Sequence, residues 1–199
     1  MTQLPVMEHF YTIQGEGFNT GKPCYFVRLG GCDVGCFWCD VKESWDADAH
    51  PQYTVDQITG WALEARAPHV VITGGEPLMY NLDLLTASIQ EAGIQTFIET
   101  SGAHPLSGHW DWICFSPKKF KAPHESIYAR ADELKIIVYN KSDLAWAEEH
   151  AARVNSGCRL YLQPEWGKSA EMLPLIIDYV KRHPRWTLSL QTHKFINIP

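Results

Sequence analysis

The 199-residue chain is 45% hydrophobic and 20% charged, with a net charge of −6 and six cysteines. This is ordinary globular composition, and the negative balance argues against broad electrostatic binding to a nucleic-acid backbone. MTQLPVMEHF lacks the basic start and apolar run of a secretory signal. No apolar run approaches the roughly 18 residues of a membrane helix. A single cytoplasmic domain spanning 1–199 is therefore expected, with no membrane and no direct nucleic-acid partner.

In chain order, the first β-rich run is CYFVRL (24–29). A helical pattern follows at TVDQITGWALEAR (54–66), where Thr54 and Gln57 form a candidate capping box. The run HVVIT (69–73) precedes the helical pattern NLDLLTASIQEAG (81–93), with Asn81 as N-cap and Gly93 as stop. Further strands are predicted at IQTFIET (94–100), WICFS (112–116), LKIIV (134–138), RLYLQ (159–163) and TLSLQ (187–191). Helices are predicted at 142–157 and 169–182, the last beginning near Pro174 or kinking there.

Strands alternating with helices imply an α/β fold with a mainly parallel sheet, either a doubly wound layer or an incomplete barrel. Both architectures place chemistry at the carboxyl ends of the strands. The segments following the strands are polar or glycine-rich: RLGGC, TGGEP, ETSG, SPKK, QPEWG and QTHK. The dense basic cluster PKKFK (117–121) reads as a solvated loop.

The segment GGCDVGCFWCDVKESW (30–45) gathers Cys32, Cys36 and Cys39 within eight residues. Three thiols so close are no disulfide framework, and in a reducing compartment they read as metal ligands. A structural zinc site takes four protein ligands, usually as two separated pairs. A C-x3-C-x2-C loop fits three irons of a [4Fe–4S] cubane, leaving the fourth iron open; zinc is the competing metal. Cys24, Cys114 and Cys158 start or sit within strands and read as small buried hydrophobes.

The triplet, with Trp38 before its last cysteine, resembles the radical S-adenosylmethionine (SAM) superfamily, and TGGEP (73–77) is similar to that superfamily's GGEP. The resemblance implies that SAM chelates the fourth iron. FYTIQGEG (10–17), FVRLGGC, CFWCD, HVVITGGEP, IETSG, SPK and QTHKFINIP, in that order, resemble the 7-carboxy-7-deazaguanine synthase family over nearly the whole chain. That resemblance implies a trimmed TIM-like barrel of the radical SAM type. The implied reaction is the radical ring contraction of 6-carboxy-5,6,7,8-tetrahydropterin to 7-carboxy-7-deazaguanine, with loss of ammonia, on the queuosine route. An electron donor such as flavodoxin and a homodimer are also implied.

Carried over by position, the resemblance places SAM against Trp38, Cys39, Asp40, Gly74, Gly75, Glu76, the Ser116-Pro117-Lys118 turn and Gln163-Pro164. It places substrate against Ile13, Gln14, Gly15, Arg28, Thr73 and Glu99. The tail folds over the site, bringing in His193 and the α-carboxylate of Pro199. Arg28 suits the substrate carboxylate because a guanidinium matches it bidentately. Glu99, ending a strand, suits the pterin amino and ring N–H groups; Arg28, Glu99 and His193 are the catalytic candidates. The remaining histidines are expected at surfaces or segment ends, with no partner implied by spacing.

One position departs from the family. Many members carry Thr after the CxxCD segment and bind Mg²⁺ there, whereas this chain has Val41, which has no oxygen to offer a cation that demands oxygen ligands. Reduced or absent Mg²⁺ dependence is expected, with Lys42 supplying charge or Asp40 holding the ion through water. The rival readings are a radical SAM activase acting on a protein glycine and a zinc-bound interaction module.

Overall fold

The computed structural model describes residues 2–199. Its elements are strands β1 (Gln3–Ile13), β2 (Pro23–Leu29), β3 (Gln52–Thr54), β4 (His69–Gly74), β5 (Gln95–Thr100), β6 (Trp112–Phe115), β7 (Glu133–Val138), β8 (Arg159–Pro164) and β9 (Trp186–Leu188). The helices are α1 (Val55–Glu64), α2 (Asp83–Glu91), α3 (Ser142–Ala151), α4 (Ser169–Arg182) and α5 (Thr192–Ile196). All strands join one sheet in the order β3-β1-β2-β4-β5-β6-β7-β8-β9. From β2 to β9 every pairing is parallel; β1 and β3 add an antiparallel edge. The sheet stays open, as a partial TIM-like barrel does.

Side chains alternate across each strand. One set, including Val27, Val70, Ile72, Ile98, Ile113, Ile136 and Leu162, packs under the helices with Ile58, Leu85, Ile89, Ala147 and Ile176. The other set faces the concave side. A small apolar cluster of Cys24, Val71 and Phe97, joined by Phe26 and Trp112, fills its lower end. Phe18, from the loop after β1, stacks on Trp112 at 4.7 Å and closes that end.

The predicted capping box of α1 forms: Thr54 Oγ1 accepts from the Gln57 N–H at 3.3 Å, and Gln57 Oε1 accepts from the Thr54 N–H at 2.9 Å. α2 begins later than its predicted cap. Leu82 precedes the helix, and Asn81 Oδ1 accepts from the Asp83 N–H at 2.9 Å. α4 starts at Ser169 and runs through Pro174, where the sequence predicted a start or kink. The missing N–H forfeits one bond to the exposed Ala170 carbonyl, which water can satisfy. Burial of Met172 and Ile176 outweighs that loss.

The sequence reading missed β1 and β3 and placed β9 one residue late at its start and three late at its end. β1 lies between β3 and β2, and beyond its buried start at Leu4 to Val6 it shows exposed and half-buried residues rather than an apolar run. The histidines are better partnered than their spacing implied: His50 Nε2 lies 2.8 Å from Glu43 O, His69 Nδ1 2.8 Å from Pro23 O and His104 Nε2 3.0 Å from Asp33 Oδ1, and only His150 departs from a surface or segment-end site. His150 is buried against Phe115 and Trp146 and within hydrogen-bond reach of Tyr128 Oη at 2.9 Å. His9 stacks on Trp61 at 3.8 Å and lies 2.6 Å from Tyr25 Oη. No helix among the described residues is long and apolar enough to cross a membrane.

Candidate active site

The loops after β2, β4, β5, β6 and β8 line one open cavity, with about 1040 Å³ of open space. A second cavity of about 660 Å³ adjoins it and shares Glu16, Arg28, Asp40, Val41, Thr73, Glu99 and Gln191. Adjoining clefts lined by a few convergent polar groups suit small-molecule ligands.

Cys32, Cys36 and Cys39 sit in the wall of the first cavity, and none is in a disulfide. The Cys39 N–H donates to Cys36 O at 3.0 Å, and the Cys32 N–H to Trp45 O at 3.1 Å, so backbone bonds shape the loop. Burial pushes the Cys36 thiol up to about 11 and raises Cys32, with the neighbouring thiols adding to both. A bound iron–sulfur cluster would supply the positive charge that keeps such thiols as thiolates. Among the described residues no three His, Cys, Asp or Glu side chains converge on one metal ion. By number and softness the three thiols of this loop suit a [4Fe–4S] cluster, in which each of three irons would take one thiolate.

The TGGEP turn packs on this loop. A Cβ on Gly75 would lie 2.1 Å from Gly31 O and 2.9 Å from Cys32 Cβ, so glycine here permits the turn to touch the cysteine loop itself. Glu76 is buried and fully engaged. One carboxylate oxygen accepts from the Leu78 N–H at 3.0 Å and Thr100 Oγ1 at 2.5 Å. The other accepts from the Ser101 N–H at 2.8 Å and from Ser101 Oγ. Its carboxylate therefore ties the β4 turn to the β5 end.

Trp38, Asp40, Gly74, Gly75, Glu76, Ser116, Lys118, Gln163 and Pro164 line the same cavity as the thiols. Lys118 Nζ donates to Ser116 O at 2.8 Å and Ser116 Oγ at 2.6 Å, with no carboxylate partner, and burial lowers its pKa. A half-buried ammonium without a counter-charge beside the thiols suits an anionic group such as the SAM carboxylate. Pro117 is the exception. It lines a neighbouring cavity with Phe37, Phe120, Tyr139 and Trp146, which shares Trp38 and Lys118 with the first. In the basic cluster, Lys119 pairs with Asp143 and Lys121 with Asp33, both at 2.5 Å.

Ile13, Gln14, Gly15, Arg28, Thr73, Glu99, His193 and Pro199 all line the second cavity. Arg28, 20% exposed, donates from Nε to Glu8 Oε1 at 2.5 Å and from Nη1 to Gly74 O at 3.4 Å, leaving further guanidinium N–H groups free. Glu99 Oε1 accepts from Gln14 Nε2 at 3.2 Å and Oε2 from Lys135 Nζ at 2.7 Å. The tail is tied to the loop after β1: the Thr192 N–H and Oγ1 both donate to Gly15 O at 2.9 Å. A Cβ on Gly15 would overlap the His193 ring at 2.2 Å, so glycine is what admits His193 to the cavity. Burial lowers the His193 pKa, favouring the neutral ring at neutral pH. Thr12 Oγ1 donates to Pro199 O at 3.3 Å.

Among the cavity residues that escaped the sequence reading are Glu16, Lys135 and Gln191. Lys135 left one signal, a lysine within the apolar run LKIIV, since lysine is rarely buried without a partner. Glu16 and Gln191 lie inside the quoted QGEG and QTHK segments but carried no distinguishing pattern.

An open α/β barrel with a three-thiol loop at the carboxyl ends of its strands defines a radical SAM enzyme, and residues 26–118 match the family model of the Radical SAM superfamily. The chain is 55% identical to 7-carboxy-7-deazaguanine synthase of Flavobacterium psychrophilum over 98% of its length and 93% of the relative's. It is 46% identical to the enzyme of the same name from Synechocystis, again over 98% and 93%. The crystal structure of QueE from Escherichia coli superposes with a TM-score of 0.86 at 32% identity, covering 96% of this chain and 95% of that one. The chain belongs to the 7-carboxy-7-deazaguanine synthase family.

Proposed function

We propose that the chain converts 6-carboxy-5,6,7,8-tetrahydropterin to 7-carboxy-7-deazaguanine with loss of ammonia, providing a deazapurine for queuosine formation. The observation that carries this reading is the junction of two cavities, one walled by three thiols and one by polar groups suited to a planar, carboxylated heterocycle. Residues 1–199 act as one unit, with the loop after β1 and the tail from Gln191 to Pro199 forming the substrate side.

Cys32, Cys36 and Cys39 hold a [4Fe–4S] cluster, and Trp38, Gly75, Ser116, Lys118 and Gln163 border the SAM space. When bound, the cluster and SAM supply one-electron, hydrogen-abstracting chemistry. Arg28, held by Glu8 and the Gly74 carbonyl, offers its free N–H groups to the substrate carboxylate. Glu99 accepts from the pterin amino and ring N–H groups, while Ile13, Gln14 and Thr73 border the ring. His193 and the Pro199 carboxylate close the open side and exclude water. A one-electron donor of the flavodoxin type and a second copy of the chain are the proposed partners.

Magnesium has little to hold here. Val41 offers no side-chain oxygen, and Asp40 is engaged by Lys194 Nζ at 2.9 Å. Lys42 lies with its ammonium 5.9 Å from the Trp45 ring. Turnover is therefore expected to change less than about 2-fold between chelator and added Mg²⁺, given the oxygen ligands that ion requires; a large stimulation refutes this. The reaction itself is tested with anaerobically reconstituted protein, reductant, SAM and the pterin. Formation of the deazapurine is expected. SAM cleavage without that product would favour an activase, and stoichiometric zinc without iron would overturn the cluster assignment.

A further inference from the structure

On the concave face, Lys135 lies beneath the cavity junction with its side chain 4% exposed. Its ammonium is 2.6 Å from Glu16 Oε2 and 2.7 Å from Glu99 Oε2. Around it stand Glu133 on its own strand, Cys114 on β6, and His193 and Lys118 at longer range. Burial alone would discharge the lysine, but the surrounding thiol and carboxylates raise its pKa well above the usual value. Glu16 responds in kind. Burial would raise its pKa, yet the Lys135 charge and hydrogen bonds from Lys135, Gln191 and Gln163 bring it down to about 2.

This lysine is more than a neutralising charge. A single Nζ bridges two carboxylates from different elements, one on the loop after β1 and one on β5. Glu16 continues the chain of contacts by accepting from Gln191 Nε2 at 2.9 Å, in the segment that leads to His193. Glu99 has Oε2 turned toward the ammonium and Oε1 toward Gln14. Its orientation in the cavity is thus set from below and from the side.

We propose that Lys135 is a positioning residue for the reaction: it holds Glu99 in place as a hydrogen-bond acceptor for the substrate and couples that carboxylate, through Glu16, to the tail that closes the site. The inference rests on the reading of Glu99 as a substrate contact. Without the ammonium, Glu16 loses the charge that holds its pKa down, and Glu99 keeps only its Gln14 bond and loses its fixed orientation.

A double-mutant cycle of Lys135→Met and Glu99→Gln tests this in the reconstituted holoenzyme. Methionine and deoxyadenosine released without pterin serve as a control for an intact thiol loop. Each single variant is expected to lower kcat/KM for the pterin about 100-fold, and the double variant also about 100-fold rather than the ~10⁴-fold product, because both act on one contact. The acid limb of the Lys135→Met pH profile should move upward, while that of Lys135→Arg, which keeps the charge, should stay at the native pH. Multiplicative losses, or a Lys135→Met variant within about 2-fold of native kcat/KM, overturn the role of Lys135. A Glu99→Gln variant with native kcat/KM instead overturns the substrate reading of Glu99. Should Lys135→Met fail to fold, the cycle is run with Lys135→Arg. A smaller single loss, about 10-fold, is expected there, again without multiplication; a multiplicative loss refutes the proposal.

Discussion

On the convex face of the sheet, Ile72, Ile98, Ile113, Leu134 and Ile136 meet the helices. One residue further along the same strands, Thr73, Glu99 and Lys135 line the cavity, and Cys114 sits against Glu133. The convex set gains stability from transfer out of water and close packing, to which any apolar residue of suitable shape contributes. The concave set buries charges whose desolvation is offset only by specific partners, as Lys135 is by Glu16 and Glu99. Function occupies the face where burial by itself is unfavourable, so mutations on the two faces should fail in different assays.

The largest effect belongs to the concave rim. Cys36→Ala is expected to lower turnover at least ~10⁴-fold with loss of cluster absorbance, while far-ultraviolet dichroism stays native. Residual turnover near native would show that the loop does not hold the cluster. On the convex face, Ile98→Ala should lower unfolding free energy by about 3–4 kcal/mol in denaturant titration. The kcat/KM per folded molecule should be retained; an unchanged denaturation midpoint would contradict the packing assignment. Glu99→Gln inverts that pattern, losing about 100-fold in kcat/KM, or about 2.7 kcal/mol, with stability close to native.

Acid separates the faces further. His150, on the convex side, has its pKa lowered by burial to about 4, so between 6.5 and 4 the unfolded chain binds the extra proton and stability falls as pH falls. Glu16, on the concave side, has a folded pKa of about 2 against 4.5, so its contribution is present above 4.5 and fades as pH drops toward 2. His150→Phe should flatten the upper window and Glu16→Gln the lower one in pH-dependent melting; a shared window would break the distinction. The smallest effect is at the α1 cap, where Thr54→Ala should cost about 1 kcal/mol and leave activity untouched.

Much of this was legible in the chain. The seven parallel strands announced themselves as apolar runs because both their faces are covered, and each was found within a residue or two apart from the end of β9. Cys32, Cys36 and Cys39 were legible because the ligands of one loop must be neighbours in sequence. β1 was not, since a strand that is half-wet over most of its length carries no continuous pattern. Glu16, Lys135 and Gln191 were not, since they come from three distant segments and acquire meaning only as partners.

The amino-acid sequence by itself determined the alternation of strands and helices, the three-thiol loop, the glycine turns and the absence of a side-chain oxygen at Val41, because each is a local property of composition and spacing. Tertiary structure alone decided that Gly75 is required by the cysteine loop's backbone, that Asp40 is taken by Lys194, and that one lysine joins two carboxylates under the cavity. Those are facts about charges and atoms brought within about 3 Å from far apart in the chain, where loss of water makes pairing decisive.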